Sequence, residues 1–180
     1  MRTLVLYTSY TGNTKKYAEK IAMGISTEAI PFKKSKWKRM DLSSYDTIVY
    51  GGWICGSQIQ GLDDFLSRYE EMKDKNVIVF CDGMGFVSKE SRDNLISANI
   101  LDLYHIRFYQ LRGSFDYSKL RFPKNLMIRL GIKGAVDRND GNMDVEFLKS
   151  ILNTPFEYND QDGVDRILSV LHRLSTENKA

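Results

Sequence analysis

Cysteine is scarce in this 180-residue chain, which contains only Cys55 and Cys81. Two cysteines cannot form a disulfide framework or a zinc site of four thiolates, and their spacing excludes a CxxC redox pair. Proline is scarce as well, with three residues, and no linker rich in Ser, Gly or Pro divides the chain. We therefore expect one domain over residues 1–180 in a reducing compartment, which indicates a cytoplasmic protein.

Long apolar stretches are also missing. The longest runs, such as Ile48–Cys55, are far shorter than the roughly 20 residues that a membrane span needs. No charged lead followed by an apolar segment precedes Thr3, so no signal peptide is predicted. With 42% hydrophobic and 27% charged residues, the composition is that of a globular protein rather than a disordered one.

The sequence does contain an alternation of short apolar runs with segments of helical periodicity. The predicted strands are residues 3–7, 29–32, 46–51, 77–80 and 106–111. The predicted helices are residues 13–26, 62–72, 89–100 and 163–174, with an extra short helix over 142–151. This alternation is typical of an α/β protein with a parallel sheet covered on both faces, and right-handed crossovers make such a fold doubly wound. Ligands then bind at the carboxyl ends of the strands, in the loops after strands one, three and four.

The loop after the first strand, residues 8–14, contains four Ser/Thr hydroxyls, one glycine and no carboxylate. It opens a predicted helix, whose free N–H groups and dipole attract an anion. A phosphate can be held here without an arginine. The alternative is a polar turn in which Asn13 or Thr14 caps the helix and no ligand binds.

Other phosphate motifs fail on spacing. Gly12 has no glycine five residues before it, as a P-loop requires, and the Gly83-Met84-Gly85 run lacks the third glycine of a dinucleotide fingerprint. A cysteine phosphatase loop would have an arginine six residues after its cysteine, where Gly61 and Val87 stand. A receiver domain would have acidic residues after the first strand, and none is there.

Two segments resemble a known family. Residues 9–14, Ser-Tyr-Thr-Gly-Asn-Thr, resemble the flavodoxin phosphate loop (S/T)-x-T-G-N-T, and residues 45–52 resemble the strand that enters the second flavin loop of flavodoxins. The order of elements agrees over nearly the whole chain. The resemblance implies a single flavodoxin-like domain with FMN as cofactor and a five-stranded parallel sheet of order 2-1-3-4-5 with helices on both faces.

The resemblance also implies which residues contact FMN. The phosphate would lie against the first loop, which consists of Ser9, Tyr10, Thr11, Gly12, Asn13 and Thr14. The ring would lie between the second loop, Gly52, Trp53, Ile54, Cys55, Gly56 and Ser57, and the third loop, Asp82, Gly83, Met84, Gly85 and Phe86. The redox chemistry belongs to the flavin, so the resemblance implies no catalytic acid or base and no metal.

The second loop departs from the simple carriers. Cys55 stands where many flavodoxins have a stacking tryptophan, and Trp53 lies two residues earlier. We expect Trp53 to cover the phosphate or ribityl side, with Phe86 as an alternative stacking residue. Ordinary packing is an equal alternative for both aromatic side chains, and Cys55 is interpreted as a small apolar filler rather than a reactive thiol.

A basic insertion after strand five, about 112–142, is similar to one in flavodoxin-domain proteins of the menaquinone-dependent protoporphyrinogen oxidase type. Over 112–140, seven cations against three anions give +4, interleaved with apolar side chains. Such a segment suits the inner face of an anionic membrane and a quinone, a helix on the sheet edge, or a dimer surface. A second basic segment, residues 33–39, follows the predicted edge strand, where positive charge discourages aggregation.

These features leave two functions open. The first is a flavodoxin-like redox protein that transfers electrons between protein partners. The alternative is an FMN-dependent dehydrogenase of a porphyrinogen or quinone. An isoelectric point near 8.7 without a recognition motif predicts no nucleic-acid partner, and the intact residues 11–14 argue against a module that has lost FMN. Flavodoxins are acidic as a family, so we expect a less extreme flavin potential here.

Overall fold

The computed structural model describes residues 1–120, 122–138 and 145–177. They form two compact units. One consists of residues 1–113 and the described residues from 160 onward, and the other of residues 114–159. The second unit covers a longer range than the insertion predicted from the sequence.

The elements follow one another in the expected alternation. The strands are β1 (Thr3–Thr8), β2 (Ala29–Pro31), β3 (Thr47–Cys55), β4 (Gln58–Ile59), β5 (Asn76–Gly83) and β6 (Ile106–Arg112). The helices are α1 (Asn13–Gly24), α2 (Lys34–Trp37), α3 (Leu62–Leu66), α4 (Lys89–Ala98), α5 (Lys124–Arg138), α6 (Val145–Ser150) and α7 (Gln161–Glu177). Short 3-10 turns lie at Tyr69–Glu71, Leu101–Leu103 and Tyr117–Lys119.

Five strands form a parallel sheet of order β2-β1-β3-β5-β6, and β4 pairs antiparallel with β3. Counted without β4, this is the predicted order 2-1-3-4-5, which is confirmed. Val5 of β1 pairs with Ala29 of β2 and Val49 of β3, and Val49 pairs with Ile78 of β5. The central strands are thus buried within the sheet, which explains their continuous apolar runs.

Alternate residues along each strand supply two separate cores. Leu4 and Leu6 belong to a core that includes Leu62 of α3 and Leu95 of α4. Val5 belongs to a second core with side chains of α1 and α7. Because successive side chains of a strand point to opposite faces, helices cover both faces of the sheet, which confirms the doubly wound fold.

The helix predicted over residues 62–72 is wrong in its length. Helix α3 ends at Leu66, and only a 3-10 turn follows at Tyr69–Glu71. The Ser67 hydroxyl donates to the Asp64 carbonyl at 2.7 Å, and the Arg68 guanidinium donates to the Met40 carbonyl at 2.9 Å. The backbone of Arg68 leaves the helical region, with φ of −116° and ψ of 25°, so the helix cannot continue through it.

The unit of residues 114–159 has its own short pairing and burial. Phe115 and Phe156 exchange two backbone hydrogen bonds of 2.7 and 2.8 Å. Ile132 of α5 and Ile151 after α6 are buried. Of the extra helix predicted over 142–151, residues 142–144 lie outside the described residues, as do Arg121 and Asp140 of the charge count. Among the described residues, no helix is both long enough and apolar enough to span a membrane.

Candidate functional site

The first loop connects β1 to α1 through a glycine in a left-handed conformation. Gly12 has φ of 101° at the N-cap of α1, which favours glycine because it has no Cβ. Its N–H donates to Ser9 Oγ at 3.1 Å. The prediction that Asn13 or Thr14 caps the helix is wrong, because the chain turns one residue earlier and no side chain caps α1.

The start of α1 has the properties of an anion site. The first turn contains no acidic residue, and a helix leaves its first N–H groups without intrahelical partners. Thr14 is only 1% exposed, and its Oγ1 makes no hydrogen bond of normal geometry in the part of the chain that the structure describes. A buried hydroxyl in this state costs free energy unless something accepts its hydrogen. The loop can therefore receive a phosphate.

The second loop is shorter than predicted. Gly52, Trp53, Ile54 and Cys55 belong to β3, which was expected to end at Gly51. Gly52 and Trp53 pair with β5, and Ile54 pairs with Ile59 of β4. The strand continues because β4 turns back on it through Gly56, which has φ of 63°, and Ser57. The second loop is thus a tight hairpin turn at the end of the strand.

Trp53 joins the first two loops. Its ring stacks on that of Tyr10, with centroids 5.5 Å apart and planes inclined by 29°. Trp53 is half-buried and does not contribute to either core. The Tyr10–Trp53 pair therefore places an aromatic surface beside the first loop, and the covering of a phosphate or ribityl group by Trp53 stays a prediction.

The third loop also begins later than predicted. Asp82 and Gly83 are the last residues of β5 rather than loop residues, because the parallel pairing with β6 continues to Gly83. Met84 is half-buried and Gly85 is exposed. Phe86 is 62% exposed, so it does not pack in a core, while ordinary loop packing and stacking on a ligand both stay predictions.

Arg112 lies at the candidate site, in a position that the sequence did not indicate. Its guanidinium lies over the Phe86 ring, 4.2 Å from the centroid, in a cation–π contact. In the sequence, Arg112 stands out only as one cation of the basic insertion. Its position at the end of the last predicted strand could have indicated that it lies near the site, because the three predicted loops follow strand ends at the same edge of the sheet.

Asp82 is a buried carboxyl at this edge. It is 4% exposed, and burial raises its pKa to about 6, partly opposed by the Thr14 hydroxyl. A methyl group on Gly113 would come within 2.7 Å of Asp82 Oδ2, so the glycine leaves room for the carboxyl. Like Thr14, Asp82 retains an unpartnered atom, Oδ1, among the described residues.

A hydroxyl network behind the first loop was also missed. Tyr50 shares a 2.8 Å hydrogen bond with Thr8 Oγ1 and donates to the Gln60 carbonyl at 2.7 Å. A Cβ at Gly61 would come within 2.4 Å of the Tyr50 hydroxyl. Burial raises the pKa of Tyr50, so the phenol stays neutral. The network fixes the end of β1 relative to β3.

The two cysteines differ in their surroundings. Cys81 is fully buried in the core that includes Leu62, and burial raises the pKa of its thiol. Cys55 is half-buried with a free thiol. The described residues contain no group of His, Cys, Asp and Glu side chains that could hold a metal ion.

Comparison with known proteins identifies the class. A family model of the flavodoxin domain matches residues 4–142. Three solved structures are similar at low identity. Flavodoxin 2 from Bacillus cereus is 17% identical, with 62% of this chain and 84% of that chain covered and a TM-score of 0.46.

The second similar structure is a flavoprotein in complex with FMN from Lactobacillus acidophilus, 18% identical, covering 62% of this chain and 91% of that chain with a TM-score of 0.45. The third is a flavodoxin from the domain Archaea, 18% identical, covering 83% of this chain and 99% of that chain with a TM-score of 0.42. No curated protein matches the sequence.

The chain belongs to the flavodoxin domain family, because that model covers most of its length. This confirms the family resemblance stated from the sequence and supports the flavoprotein redox role and the FMN cofactor. The narrower resemblance to the protoporphyrinogen oxidase type stays a prediction.

Proposed function

We propose that this protein binds FMN at the carboxyl edge of its sheet and transfers electrons between protein partners through the bound flavin. The observation that carries the proposal is the buried, unpartnered hydroxyl of Thr14 at the uncapped start of α1. Bound FMN supplies the reversible electron chemistry, which no side chain of the protein provides.

The first loop fits a phosphate dianion in three respects. Ser9, Thr11 and Thr14 supply hydroxyl donors, and Gly12 leaves open space where a side chain would stand. The first turn of α1 lacks a carboxylate that would repel the anion. Ser9, Thr11, Gly12, Asn13 and Thr14 would therefore hold the phosphate.

The neighbouring loops fit a flat ring. The Tyr10–Trp53 stack and the exposed Phe86 offer aromatic surface. Gly56 and Gly85 have open space at their missing Cβ positions, so their backbones can approach a ligand closely. These loops would orient the ring and exclude water from its edges.

A positively charged surface beside the site suits an acidic redox partner. We define this basic segment as residues 33–39, whose five cations are all exposed. Buried Trp37 anchors it by donating from Nε1 to the Phe65 carbonyl at 3.1 Å. Phe32, just before the segment, contacts Tyr50 edge-on at 5.4 Å, and Tyr50 bonds Thr8. The segment therefore begins beside the end of β1.

Flavin fluorescence tests the cofactor assignment. Wild type should quench FMN on titration and be yellow when loaded. Thr14→Val keeps the shape but removes the hydroxyl, so FMN affinity should fall about tenfold or more, as for a lost hydrogen bond to a charged group. Thr47→Val removes another buried hydroxyl, at the start of β3, and should leave the affinity unchanged. Failure of wild type to bind FMN would reject the proposal.

A second candidate is an FMN-dependent dehydrogenase of a porphyrinogen or quinone. It is favoured by exposed apolar side chains, Phe122, Leu126 and Leu130, interspersed with exposed Arg129 and Lys133. Such a mixture suits an apolar molecule with acidic groups or an anionic membrane surface. Oxidation of protoporphyrinogen with a menaquinone analogue, measured with and without residues 115–140, tests it. Absence of turnover in the intact protein would leave the carrier function alone.

A further inference from the structure

Two buried polar side chains lie on α1 and β5, which contact each other. Thr14 of α1 is 1% exposed and Asp82 of β5 is 4% exposed. Asp82 lies where α1 and β6 come against β5, since a Cβ on Gly113 would meet its carboxyl and α1 contacts β5, and the Thr14 hydroxyl lowers its pKa. Yet neither Thr14 Oγ1 nor Asp82 Oδ1 has a hydrogen bond of normal geometry among the described residues. The hydrogen-bonding capacity of both side chains is therefore not satisfied within the described part of the chain.

Other titratable groups lie on the elements packed around Asp82. Among them are Cys81 on β5, Tyr17 on α1, Arg112 on β6 and Asp160 before α7. The Tyr17 hydroxyl and the Asp160 carboxylate are held by hydrogen bonds at the Arg112 backbone, and the Arg112 guanidinium lies over Phe86. Burial is the largest cause of the raised pKa of Asp82, and Thr14 is the group that opposes it.

The Thr14 hydroxyl has a single hydrogen, so it can donate either to Asp82 or to a phosphate, but not to both. A hydroxyl has one hydrogen to donate, whereas an ionised carboxylate only accepts. If Asp82 is ionised, it attracts the Thr14 hydrogen and repels a nearby phosphate. If Asp82 is protonated, its own hydrogen can go to Thr14 Oγ1, and the Thr14 hydrogen is left for the phosphate. Only the second arrangement satisfies both side chains and an anion together.

We infer that Asp82 is a positioning residue for phosphate recognition: in its protonated form it donates to Thr14 Oγ1 and turns the Thr14 hydrogen toward the phosphate of FMN. This inference rests on the proposed function. It requires that Asp82 takes one proton from the solvent when FMN binds at neutral pH, and that the proton returns to the solvent when FMN leaves. Riboflavin lacks the phosphate, so its binding should not require Asp82 to take up a proton.

Asp82→Asn separates this role from a structural one. The Asn amide can donate to Thr14 Oγ1 at every pH, so the variant imitates the protonated carboxyl. We expect wild type and Asp82→Asn to bind FMN alike at pH 5. The ratio of wild-type to variant Kd should then rise with pH, to about tenfold or more at pH 8. Taking the ratio cancels the titration of the phosphate itself, whose second pKa is about 6.

Riboflavin is the ligand control, and its ratio should not change between pH 5 and 8. A constant ratio for FMN over this range, or weaker binding by Asp82→Asn at pH 8, would overturn the inference. If wild type binds FMN at no pH, the proposed function fails instead.

Calorimetry of the wild type gives a second measurement that needs no variant. FMN titrations at pH 7, in two buffers of different ionisation enthalpy, should report uptake of about one proton per FMN. Riboflavin titrations should report none. Binding of FMN without proton uptake would overturn the role of Asp82 while leaving FMN binding intact.

Discussion

The Tyr17 hydroxyl on α1 donates to the backbone carbonyl of Arg112 at the end of β6, over 2.6 Å. The same hydroxyl accepts the N–H of Asp160 at 2.9 Å, and the Asp160 carboxylate accepts the N–H of Arg112 at 2.9 Å. One tyrosine thus holds together the two chain positions between which residues 114–159 are inserted. Tyr17, Arg112 and Asp160 all belong to the first unit, so that unit holds the two positions at which the insertion leaves and re-enters it.

Tyr17→Phe should destabilise the protein by about 1–3 kcal/mol, because it removes a hydroxyl that both donates and accepts in a partly buried place. Urea unfolding followed by circular dichroism measures the change. Tyr109→Phe removes the hydroxyl of another half-buried tyrosine, on β6, and serves as the control. Equal stability of both variants would show that the hydroxyl of Tyr17 does not hold this junction.

Replacement of residues 114–159 by a short Gly/Ser linker should leave a folded protein that binds FMN as the intact chain does. Gly113 donates to the Gly83 carbonyl at 2.7 Å, and Arg112 is bonded to Asp160, so both junction ends stay in place. Neither core includes a described residue of 114–159. Cooperative unfolding and an FMN titration check the expectation. A deletion variant that unfolds or loses FMN affinity would assign the insertion a part in the basic fold.

The sheet could be predicted from the sequence because each parallel strand is a short apolar run between polar segments. The residues at which the strands end could not be predicted in this way. Gly52–Cys55 and Asp82–Gly83 look like loop because they contain glycine and polar residues, but their hydrogen bonds continue. The hairpin that places Ile59 against Ile54 extends β3, and this pairing leaves no signature in the strand itself.

The sequence indicated which residues lie in the candidate site, but it did not indicate the contacts among them. Short motifs indicated Tyr10, Trp53 and Asp82 as loop residues, yet neither the Tyr10–Trp53 stack nor the burial of Asp82 follows from local pattern. Asp82 can be buried here because Gly113, which is distant in sequence but adjacent in space, has no side chain that would collide with its carboxyl. Arg112 reaches Phe86 from another strand. Such contacts depend on the register of the whole sheet.

Charge reversal in the basic segment should weaken the encounter with an acidic redox partner. Lys33 and Lys36 are exposed, and the described residues show no ion pair to either. Lys33→Glu with Lys36→Glu should slow electron transfer to an acidic [2Fe–2S] ferredoxin by about tenfold at low salt, with a smaller difference at high salt. Stopped-flow absorbance of the loaded protein measures the rate.

The control for that experiment makes the same change of net charge on α7, with Arg166→Glu and Arg173→Glu. Both arginines are exposed. If the α7 variant is slowed as much as the basic-segment variant, net charge rather than the proposed surface governs the encounter.

Asp82 should make the ligand-free protein less stable as pH rises. Its pKa is 3.8 in the unfolded chain and about 6 in the folded one. Between these pH values the folded state binds more protons than the unfolded state. The contribution of protonated Asp82 to the free energy of unfolding is therefore fully present below pH 4 and is lost as pH rises through 6. The shift corresponds to about 3 kcal/mol. Asp82→Asn removes the titration, so it should be more stable than wild type at pH 7, by up to that amount.

The pH dependence distinguishes this effect from a general effect of the substitution. Urea unfolding of both proteins from pH 3.5 to 8 should show a stability difference that is small at the acid end and grows between pH 4 and 6. Above pH 7 the difference should level off, because Asp82 is then ionised in both states. A difference that stays constant over the range would mean that Asp82 has the same pKa in the folded protein as in the unfolded chain, as an exposed carboxyl does.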